Sequence, residues 1–376
     1  MQKKNSEPLM ATYLHQKGAR LGLPIGGNFE LTARCNFNCP MCYVHLQQAE
    51  IQARGRELTA AEWLKIAKDA RDMGMVFVLL TGGEPLVRKD FFEIYQGMKE
   101  FGLLISINSN GSLIRGETLE RFLADPPMRF NISLYGGSDE TYRNMCGLSA
   151  YEQVRGNIRA LRQAGVDVSL NLSITPYNCG DLEKIYADAV DLDVNVKASA
   201  YMYPPVRVDG EKVGCGNRLS PWEAAKCTAR WDRLRFSPEE FSLRAENMKK
   251  LVAVEERACS ADVAEGVRCR AGSSSFWMTW DGRMLPCGMM PEEGQKPLEV
   301  GFEAAWEVTR GSASRIWLPR ACAGCSHKEV CSVCAAVCVT ETGAYDRVPE
   351  YICQMTKALV EETWAEYRKE KECHED

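Results

Sequence analysis

Strand-like and helix-like segments alternate between residues 28 and 202, and this alternation constrains the fold more than any other feature. When strands and helices alternate in this way, neighbouring strands pair in parallel and the helices form right-handed crossovers between them. About 175 residues is short for a closed eight-unit barrel, which needs about 250. The sequence therefore predicts an α/β fold, a partial (βα)6 TIM-like barrel with a small Cys-rich C-terminal domain. The predicted strands are Asn28–Ala33, Val76–Leu80, Leu103–Asn108, Phe130–Leu134, Val168–Ile174 and Val194–Met202.

The predicted helices of this region begin at Thr59, Asp90, Glu117, Tyr151 and Asp181. Thr59 and Glu62 have the spacing of a capping box. Beyond the barrel, Pro221–Arg235 and Pro238–Glu256 are predicted helices. The expected organisation is an N-terminal extension at 1–27, a barrel at 28–202, a linker and helical segment at 203–258, and an auxiliary-cluster domain with a C-terminal helix at 259–376.

Charge and hydropathy exclude several classes of partner. The net charge is −5 and the sequence has no basic cluster, so a nucleic-acid surface is not expected. The longest apolar run, Met75 to Leu80, is far below the roughly 20 residues that cross a bilayer. The polar N-terminus lacks an apolar stretch of signal-peptide type. We therefore expect a cytoplasmic protein without a membrane partner.

The cysteines are numerous and unevenly distributed. The chain has 17, which in a reducing compartment indicates metal ligands or catalytic thiols before disulfides. Three lie near the N-terminus and ten lie from Cys259 onward. This bunching predicts two cluster-binding regions around a scaffold. Five cysteines match no motif, and buried apolar cysteine is their default interpretation: Cys146, Cys179, Cys215, Cys227 and Cys373, the last of which belongs to the C-terminal ten.

The first cysteine region is a C-x3-C-x2-C loop formed by Cys35, Cys39 and Cys42. Three thiolates in one tight loop can bind three irons of a [4Fe–4S] cube and leave the fourth iron open. A zinc site is the alternative, but structural zinc completes four ligands and this triad does not. His45 is a conceivable fourth ligand, although a role in lining the loop is the simpler interpretation.

This triad with the aromatic Tyr43 behind it resembles the signature of the radical S-adenosylmethionine (SAM) superfamily. The turn Gly82-Gly83-Glu84-Pro85, after the second predicted strand, is similar to the family's GGEP motif, and the resemblance implies contacts from its backbone and Glu84 to the SAM amino group. The resemblance also implies that Ser133 and Arg143 contact SAM and that the backbone of Tyr43 meets the adenine. For Arg143 a surface helix salt bridge is an equal alternative. Asn108 and Asn110 resemble a further family motif or shape a turn.

The C-terminal cysteines resemble a SPASM domain, which binds two auxiliary [4Fe–4S] clusters. The resemblance implies that Cys269 and Cys287 are ligands of the first auxiliary cluster, with Cys259 as a further candidate. It implies Cys322, Cys325, Cys331 and Cys353 for the other. The family spacing would place one more cysteine at Ala335, which Cys334 and Cys338 flank instead; Cys334 is the favoured ligand of the first auxiliary cluster. A pair of zinc ribbons is the alternative for this block.

The resemblance implies reductive cleavage of SAM to a 5′-deoxyadenosyl radical, which abstracts a hydrogen atom from the substrate while auxiliary clusters accept electrons. SPASM-type relatives mostly modify peptides or proteins, so a peptide maturase served by a reductant such as flavodoxin or ferredoxin is predicted. Only 27 residues precede the first predicted strand, which leaves leader binding to another region. Gly288 follows Cys287 where sulfatase-maturing relatives have an Asp base, which argues against that reaction. The alternatives are an enzyme that oxidises a tetrapyrrole or an amino sugar, and an electron-transfer protein that makes no radical. Asp281 and Tyr201 are candidates to face the substrate.

Overall fold

A single mixed sheet organises the protein. The computed structural model describes residues 9–204, 217–255 and 264–373. Their sheet has eight strands in the order β6-β5-β4-β3-β2-β1-β7-β8, and every pairing is parallel except that of β7 with β8. The strands are β1 Gly26–Glu30, β2 Phe77–Thr81, β3 Leu104–Ser109, β4 Arg129–Ser133, β5 Val168–Ser173, β6 Asn195–Ser199, β7 Ser275–Met278 and β8 Met284–Leu285.

The predicted parallel core is confirmed, because all six predicted strands are present and pair in chain order as an open, barrel-like sheet. The helices of this half are α1 Leu9–Leu21, α2 Gln48–Arg54, α3 Ala60–Asp72, α4 Phe91–Glu100, α5 Glu117–Ala124, α6 Asp139–Cys146, α7 Tyr151–Gln163 and α8 Leu182–Asp191. The capping box at the start of α3 forms as expected. Thr59 Oγ1 accepts from Glu62 N at 3.3 Å, and the Glu62 carboxylate accepts from Thr59 N.

The two faces of the sheet differ in polarity. Side chains alternate along a strand, and the register aligns Phe29, Leu80, Ile107, Phe130 and Val168 on the face that packs against the helices. The register places polar residues on the opposite, concave face. These include Asn28, Ser106, Arg129, Asn131, Ser133, Asn171 and Lys197. The lumen of the open barrel is therefore polar.

The C-terminal region joins the same sheet, which the sequence did not predict. Strand β7 pairs with β1 from Gly26↔Ser275 to Phe29↔Met278. The helices of this region are α9 Pro221–Arg235, α10 Pro238–Glu255, α11 Pro297–Val300, α12 Phe302–Ser314, α13 Arg320–Ala323, α14 Ala335–Thr342 and α15 Glu350–Cys373. The expected domain boundaries stay a prediction, but backbone hydrogen bonds cross from one region to the other.

A buried ion pair also connects the two regions. Arg218, which precedes α9, donates to Glu341 Oε1 of α14 at 2.6 Å, and Tyr201 donates to the same oxygen at 2.7 Å. The side chains of the pair are only 13% and 9% exposed. Tyr201 therefore fixes the end of the barrel to α14, and the structure shows its hydroxyl engaged there.

Candidate cofactor site

The cysteine loop lies at the carboxyl end of β1 and is fastened by backbone hydrogen bonds. Gly83 N donates to Thr32 O at 2.8 Å, Glu84 N donates to Arg34 O at 2.9 Å, and Leu46 N donates to Ala33 O at 3.1 Å. The turn after β2 therefore lies directly against the chain that enters the triad. In parallel α/β sheets this edge is where ligands bind.

Only glycine fits at two positions of that turn. A Cβ on Gly83 would lie 2.3 Å from Arg34 O, and one on Gly82 would lie 2.5 Å from Thr32 O. Both obstacles are backbone atoms, which cannot rotate away. Gly82 also has a φ of +150°, which L side chains rarely adopt. The Gly-Gly pair is therefore required for the turn to dock on the cysteine loop.

Two thiols of the loop accept hydrogen bonds from N–H groups, and all three cysteines are partly buried. Cys35 Sγ accepts from Phe37 N at 3.3 Å and from Asn110 Nδ2 at 3.9 Å, and Cys42 Sγ accepts from His45 N at 3.3 Å. Burial raises the pKa of Cys35 to about 12 and that of Cys42 to about 11. Thiolates at this site would need a bound cation, while the N–H donors are placed to accept negative charge on sulfur.

A cluster and a single metal ion require different arrangements of their cysteine ligands. Within residues 9–204, 217–255 and 264–373, no three His, Cys, Asp or Glu side chains converge on one metal-ion position. A cubane takes one thiolate per iron, so its ligands surround a volume and do not meet at a point. A single tetrahedral zinc ion needs that convergence.

Cys146 is a neighbour of this loop that sequence reasoning did not assign. Its side chain is fully buried, and its carbonyl accepts from Asn38 N at 3.0 Å. A hydrogen bond between the Cys146 and Cys39 thiols is the largest cause that raises the pKa of Cys39, ahead of burial. No spacing in the sequence marks this residue, because α6 brings it to the loop from more than one hundred residues away.

The Glu84 carboxylate is engaged within the protein, and its expected contact with the SAM amino group stays a prediction. Its carboxylate has no exposed surface and accepts from Asn110 N at 2.7 Å, Ser109 Oγ at 3.0 Å and Leu86 N at 3.1 Å. Burial raises its pKa to about 7 against the lowering effect of these donors. Glu84 therefore ties the ends of β2 and β3 together.

The two asparagines have distinct contacts. Asn110 Nδ2 donates to Asn36 Oδ1 at 2.8 Å, inside the cysteine loop, and Asn110 Oδ1 accepts from Ser112 N at 2.9 Å. Asn108 lies in the lumen, where its Oδ1 accepts from Asn131 Nδ2 at 3.0 Å. Asn110 thus fixes the turn after β3 to the triad, which combines the turn-shaping and site interpretations.

The remaining predicted SAM contacts lie at the same end of the sheet. Ser133 ends β4, and its carbonyl accepts from Tyr142 OH at 3.5 Å. Arg143 is exposed on α6 and donates to Ser149 Oγ at 2.8 Å. Tyr43 is partly buried directly after the triad. Among the described residues Arg143 makes this surface hydrogen bond and no ion pair, and its contact with SAM stays a prediction.

The C-terminal cysteines form two groups, and the first contains Cys322, Cys325, Cys331 and Cys353. After burial, the charges of the other three are the largest causes that raise the pKa of Cys322, which reaches about 11. His327 N donates to Cys325 Sγ, and Thr356 Oγ1 donates to Cys331 Sγ, both at 3.4 Å. The buried Cys338 lies beside this group, because after burial the charge of Cys322 is the largest cause that raises its pKa.

Tyr203 connects the second group to the N-terminal loop. Its hydroxyl lies 3.9 Å from Cys334 Sγ, and after burial the charges of Cys334, Cys287 and Tyr43 raise its pKa. Cys334 and Cys287 therefore lie in one neighbourhood, next to the residue that follows the triad. Cys269 is exposed, while Cys259 and Cys215 lie outside the described residues.

Two further positions near Cys287 are explained by packing. A Cβ on Gly288 would lie 2.6 Å from the Trp277 ring, whose Nε1 donates to the buried Glu30 at 3.0 Å. No side chain fits at Gly288 while Trp277 keeps this position. The Asp281 carboxylate accepts from Thr279 Oγ1 at 2.5 Å and Arg283 Nε at 2.9 Å, so it is occupied by its own turn.

Comparison with known proteins agrees with this geometry. Residues 29–189 match the Radical SAM superfamily. An AdoMet-dependent heme synthase from Methanosarcina barkeri is 28% identical over 330 residues, which are 84% of this chain and 93% of that protein. Probable GTP 3′,8-cyclases from Saccharolobus islandicus are 32% identical over 179 residues, and the match spans only 56% of their length.

Solved structures share the fold at low sequence identity. Streptococcus suis SuiB bound to S-adenosylmethionine has a TM-score of 0.65 and 15% identity, over 92% of this chain and 82% of SuiB. Native anSMEcpe with bound AdoMet has a TM-score of 0.67 and 16% identity, over 92% of this chain and 99% of that one. At such identities the likeness extends to the fold alone.

The fold and the matches define an enzyme built on an open parallel barrel. Residues 29–189 carry a radical SAM domain, as the motifs predicted, and the chain is an enzyme. This assignment implies SAM and a [4Fe–4S] cluster as cofactors. Within the described part of the chain, no helix has the length and apolarity to span a membrane.

Proposed function

We propose that Cys35, Cys39 and Cys42 bind the [4Fe–4S] cluster, with SAM at its open iron, and that the enzyme oxidises a peptide or protein substrate. The observation that carries this proposal is the docking of the Gly82-Gly83 turn on the cysteine loop, through Gly83 N to Thr32 O and Glu84 N to Arg34 O. That contact places the two motifs together at the carboxyl edge of the sheet. It supports one composite site for cluster and SAM.

When bound, the cluster and SAM supply the electron and the carbon-centred radical that removes a substrate hydrogen atom. The protein's own groups hold and orient. Phe37 N, His45 N and Asn110 Nδ2 donate to the thiols, while Glu84 keeps Asn110 in place. The proposed SAM contacts are the backbone of Tyr43 and of the Gly82–Pro85 turn, with Ser133 and Arg143. The Glu84 carboxylate is proposed to contact the SAM amino group and also to position Asn110.

We further propose two auxiliary [4Fe–4S] clusters in a SPASM-type domain at 259–376, reached through the linker and helical segment at 203–258. One is assigned to Cys322, Cys325, Cys331 and Cys353, and the other to Cys269, Cys287 and Cys334, with Cys259 as a further candidate. The mutual electrostatic effect within the first group and the contact of Tyr203 with Cys334 support this division. It leaves Cys338 as a buried bystander.

The peptide assignment is supported by two structural neighbours. SuiB has been solved with its precursor peptide SuiA, and anSMEcpe has been solved with AdoMet and the Cp18Cys peptide. We propose a cytoplasmic enzyme supplied with electrons by a flavodoxin or ferredoxin. The net charge of −5 supports the absence of a nucleic-acid partner.

A tetrapyrrole is the second candidate substrate, and one observation favours it. The match to the M. barkeri protein named as an AdoMet-dependent heme synthase covers 93% of that protein, so it includes the C-terminal region. A polar lumen, lined by residues such as Asn131, Asn171 and Lys197, is compatible with a carboxylated small molecule.

The decisive experiment is anaerobic reconstitution with iron and sulfide, followed by dithionite and SAM, with 5′-deoxyadenosine quantified. A Cys35/Cys39/Cys42→Ala variant is the matched control. Release by the wild type alone supports the proposal, and release by neither from brown, iron-loaded protein supports the electron-transfer alternative. Colourless reconstituted protein supports zinc, because zinc thiolates do not absorb in the visible range.

A further inference from the structure

Trp277 is a large aromatic side chain on the mostly polar inner face of the barrel. Burial alternates along β7, where Phe276 and Met278 are buried in the core while Ser275 and Trp277 are only partly buried. Because successive side chains of a strand point to opposite faces, the partly buried pair faces the lumen. In the register Trp277 lies beside Asn28 of β1. The lumen therefore has an aromatic surface next to the amides and hydroxyls of its other strands.

The indole of Trp277 is held in one orientation by two contacts. Its Nε1 donates to Glu30 Oε2 at 3.0 Å, and the Glu30 side chain has no exposed surface. A Cβ on Gly288 would lie 2.6 Å from Cε2 and 2.8 Å from Cδ2 of the indole, the two atoms that its rings share. Since these atoms are inside the ring system, Gly288 packs above the plane of the ring. One edge and one face of the indole are thus covered by the protein itself.

The rest of the Trp277 ring is available for contact. Within residues 9–204, 217–255 and 264–373, the ring has no aromatic or cationic partner, and the residue stays partly exposed. Trp63 and Trp306 differ, because they are fully buried in the core. An aromatic ring that is already fixed loses little conformational entropy when a ligand packs on it. The ring of Trp277 is therefore suited to stacking against a planar group.

The two contacts of Trp277 also place it between the two cysteine regions. Gly288 directly follows Cys287, which is proposed to bind an auxiliary cluster. Glu30 lies near the triad, since burial is the largest cause that raises the pKa of Cys42 and the charge of Glu30 adds to it. A substrate that loses a hydrogen atom beside the triad and an electron to that auxiliary cluster must lie between them. The ring is therefore placed to contact the reacting part of the substrate.

We infer that Trp277 is a stacking platform for a planar, conjugated part of the substrate. The inference rests on the proposed function, because it assumes that the substrate enters the barrel lumen. Offset stacking on an aromatic ring contributes beyond the burial of apolar area. A tetrapyrrole macrocycle and an aromatic peptide side chain both supply a planar ring, and the experiment distinguishes these two sources.

The test is anaerobic equilibrium binding to the reconstituted enzyme with SAM and without reductant. The planar probes are coproporphyrin III and the peptide Gly-Gly-Trp-Gly-Gly. Their matched probes without a planar ring are coproporphyrinogen III, which has the same side chains on a non-planar macrocycle, and Gly-Gly-Leu-Gly-Gly.

The variants are Trp277→Leu and Trp277→Phe. Trp222→Leu is the control, since Trp222 is 51% exposed at the start of α9. Release of 5′-deoxyadenosine by the wild type with dithionite is measured separately, so that failure of the proposed function is recognised independently.

We expect one planar probe to bind about tenfold more tightly than its matched probe, with its Kd raised about tenfold in Trp277→Leu and unchanged in Trp222→Leu. Trp277→Phe should keep the Kd within about threefold of the wild type, because it keeps a ring and loses only the bond to Glu30. A response to coproporphyrin III identifies a tetrapyrrole, and a response to the tryptophan peptide identifies a peptide side chain.

Three results would overturn the inference. The first is binding of neither planar probe. The second is a Kd in Trp277→Leu within about twofold of the wild type. The third is equal weakening in Trp277→Phe and Trp277→Leu, which would assign the effect to the lost hydrogen bond with Glu30 and not to the ring.

Discussion

Replacement of Gly83 by alanine tests the docking of the turn on the cysteine loop. The new Cβ would lie 2.3 Å from Arg34 O, 2.7 Å from Arg34 C and 3.0 Å from Ala33 O. Relief to a normal contact of about 3.4 Å needs a shift of about 1 Å. That shift would break the 2.9 Å bond from Glu84 N to Arg34 O and strain the bond from Gly83 N to Thr32 O.

The magnitude follows from these two terms. Overpacking costs about 1–3 kcal/mol, and two backbone hydrogen bonds contribute about 1 kcal/mol each. If the turn keeps its place, we expect Gly83→Ala to lower the free energy of unfolding by about 1–3 kcal/mol from overpacking alone; a shift of the turn would cost about 2 kcal/mol in lost hydrogen bonds. If the turn moves instead, the loop loses its support, and the triad should bind iron incompletely while the C-terminal cysteines still load.

The assay combines urea unfolding of the apoprotein with iron analysis after reconstitution. Gly156→Ala is the control, because a Cβ there meets nothing within 4 Å and α7 should gain about 0.5–1 kcal/mol. If the enzyme binds the three clusters proposed above, loss of one lowers bound iron by about one third. A Gly83→Ala protein with wild-type stability and wild-type iron content would refute the reasoning.

Three further predictions concern the site. Glu84→Gln should lower the free energy of unfolding by about 1–3 kcal/mol, because an amide nitrogen would face the donors Asn110 N or Ser109 Oγ. Urea titration measures this change, with the exposed Glu93→Gln variant as the control. Equal stabilities of the two variants would contradict the assigned contacts. Cys338→Ala should leave iron content unchanged while Cys331→Ala lowers it, and iron loss in Cys338→Ala would make Cys338 a ligand. Tyr203→Phe should lower the reduction potential of one proposed auxiliary cluster by about 40 mV, because it removes a hydrogen bond to the Cys334 thiolate worth about 1 kcal/mol for one electron. A redox titration followed by electron paramagnetic resonance measures this shift. An unchanged potential would show that the hydroxyl does not bond to a cluster thiolate.

The barrel strands could be predicted because their information is local. Apolar segments alternate with capped amphipathic helices, so the strand from Val168 was placed correctly at its start and Pro221–Arg235 was placed correctly at both ends. Prediction missed α6, whose sequence Asp139–Cys146 is polar with a low apolar content. It also missed the pairing of β7 with β1, because a contact across about 250 residues leaves no periodic signal.

The site could be predicted only where glycine or cysteine chemistry marks it. The triad and the Gly82-Gly83 turn do lie together. The orientation of Glu84 could not be predicted, since its carboxylate is captured by Ser109 and Asn110 on another strand. The neighbours Cys146 and Tyr203 were not identified as part of the site, because their positions depend on the tertiary fold and on no motif.

The pairing of β7 with β1 has a consequence for how this enzyme can be divided. An N-terminal fragment that ends before β7 would expose the backbone of Gly26–Glu30 as an open sheet edge, next to the strand that leads into the cysteine loop. Exposed edges promote aggregation. The cysteine-rich half is therefore not a detachable module, and insertion or recombination at the linker must preserve a strand for β1 to meet.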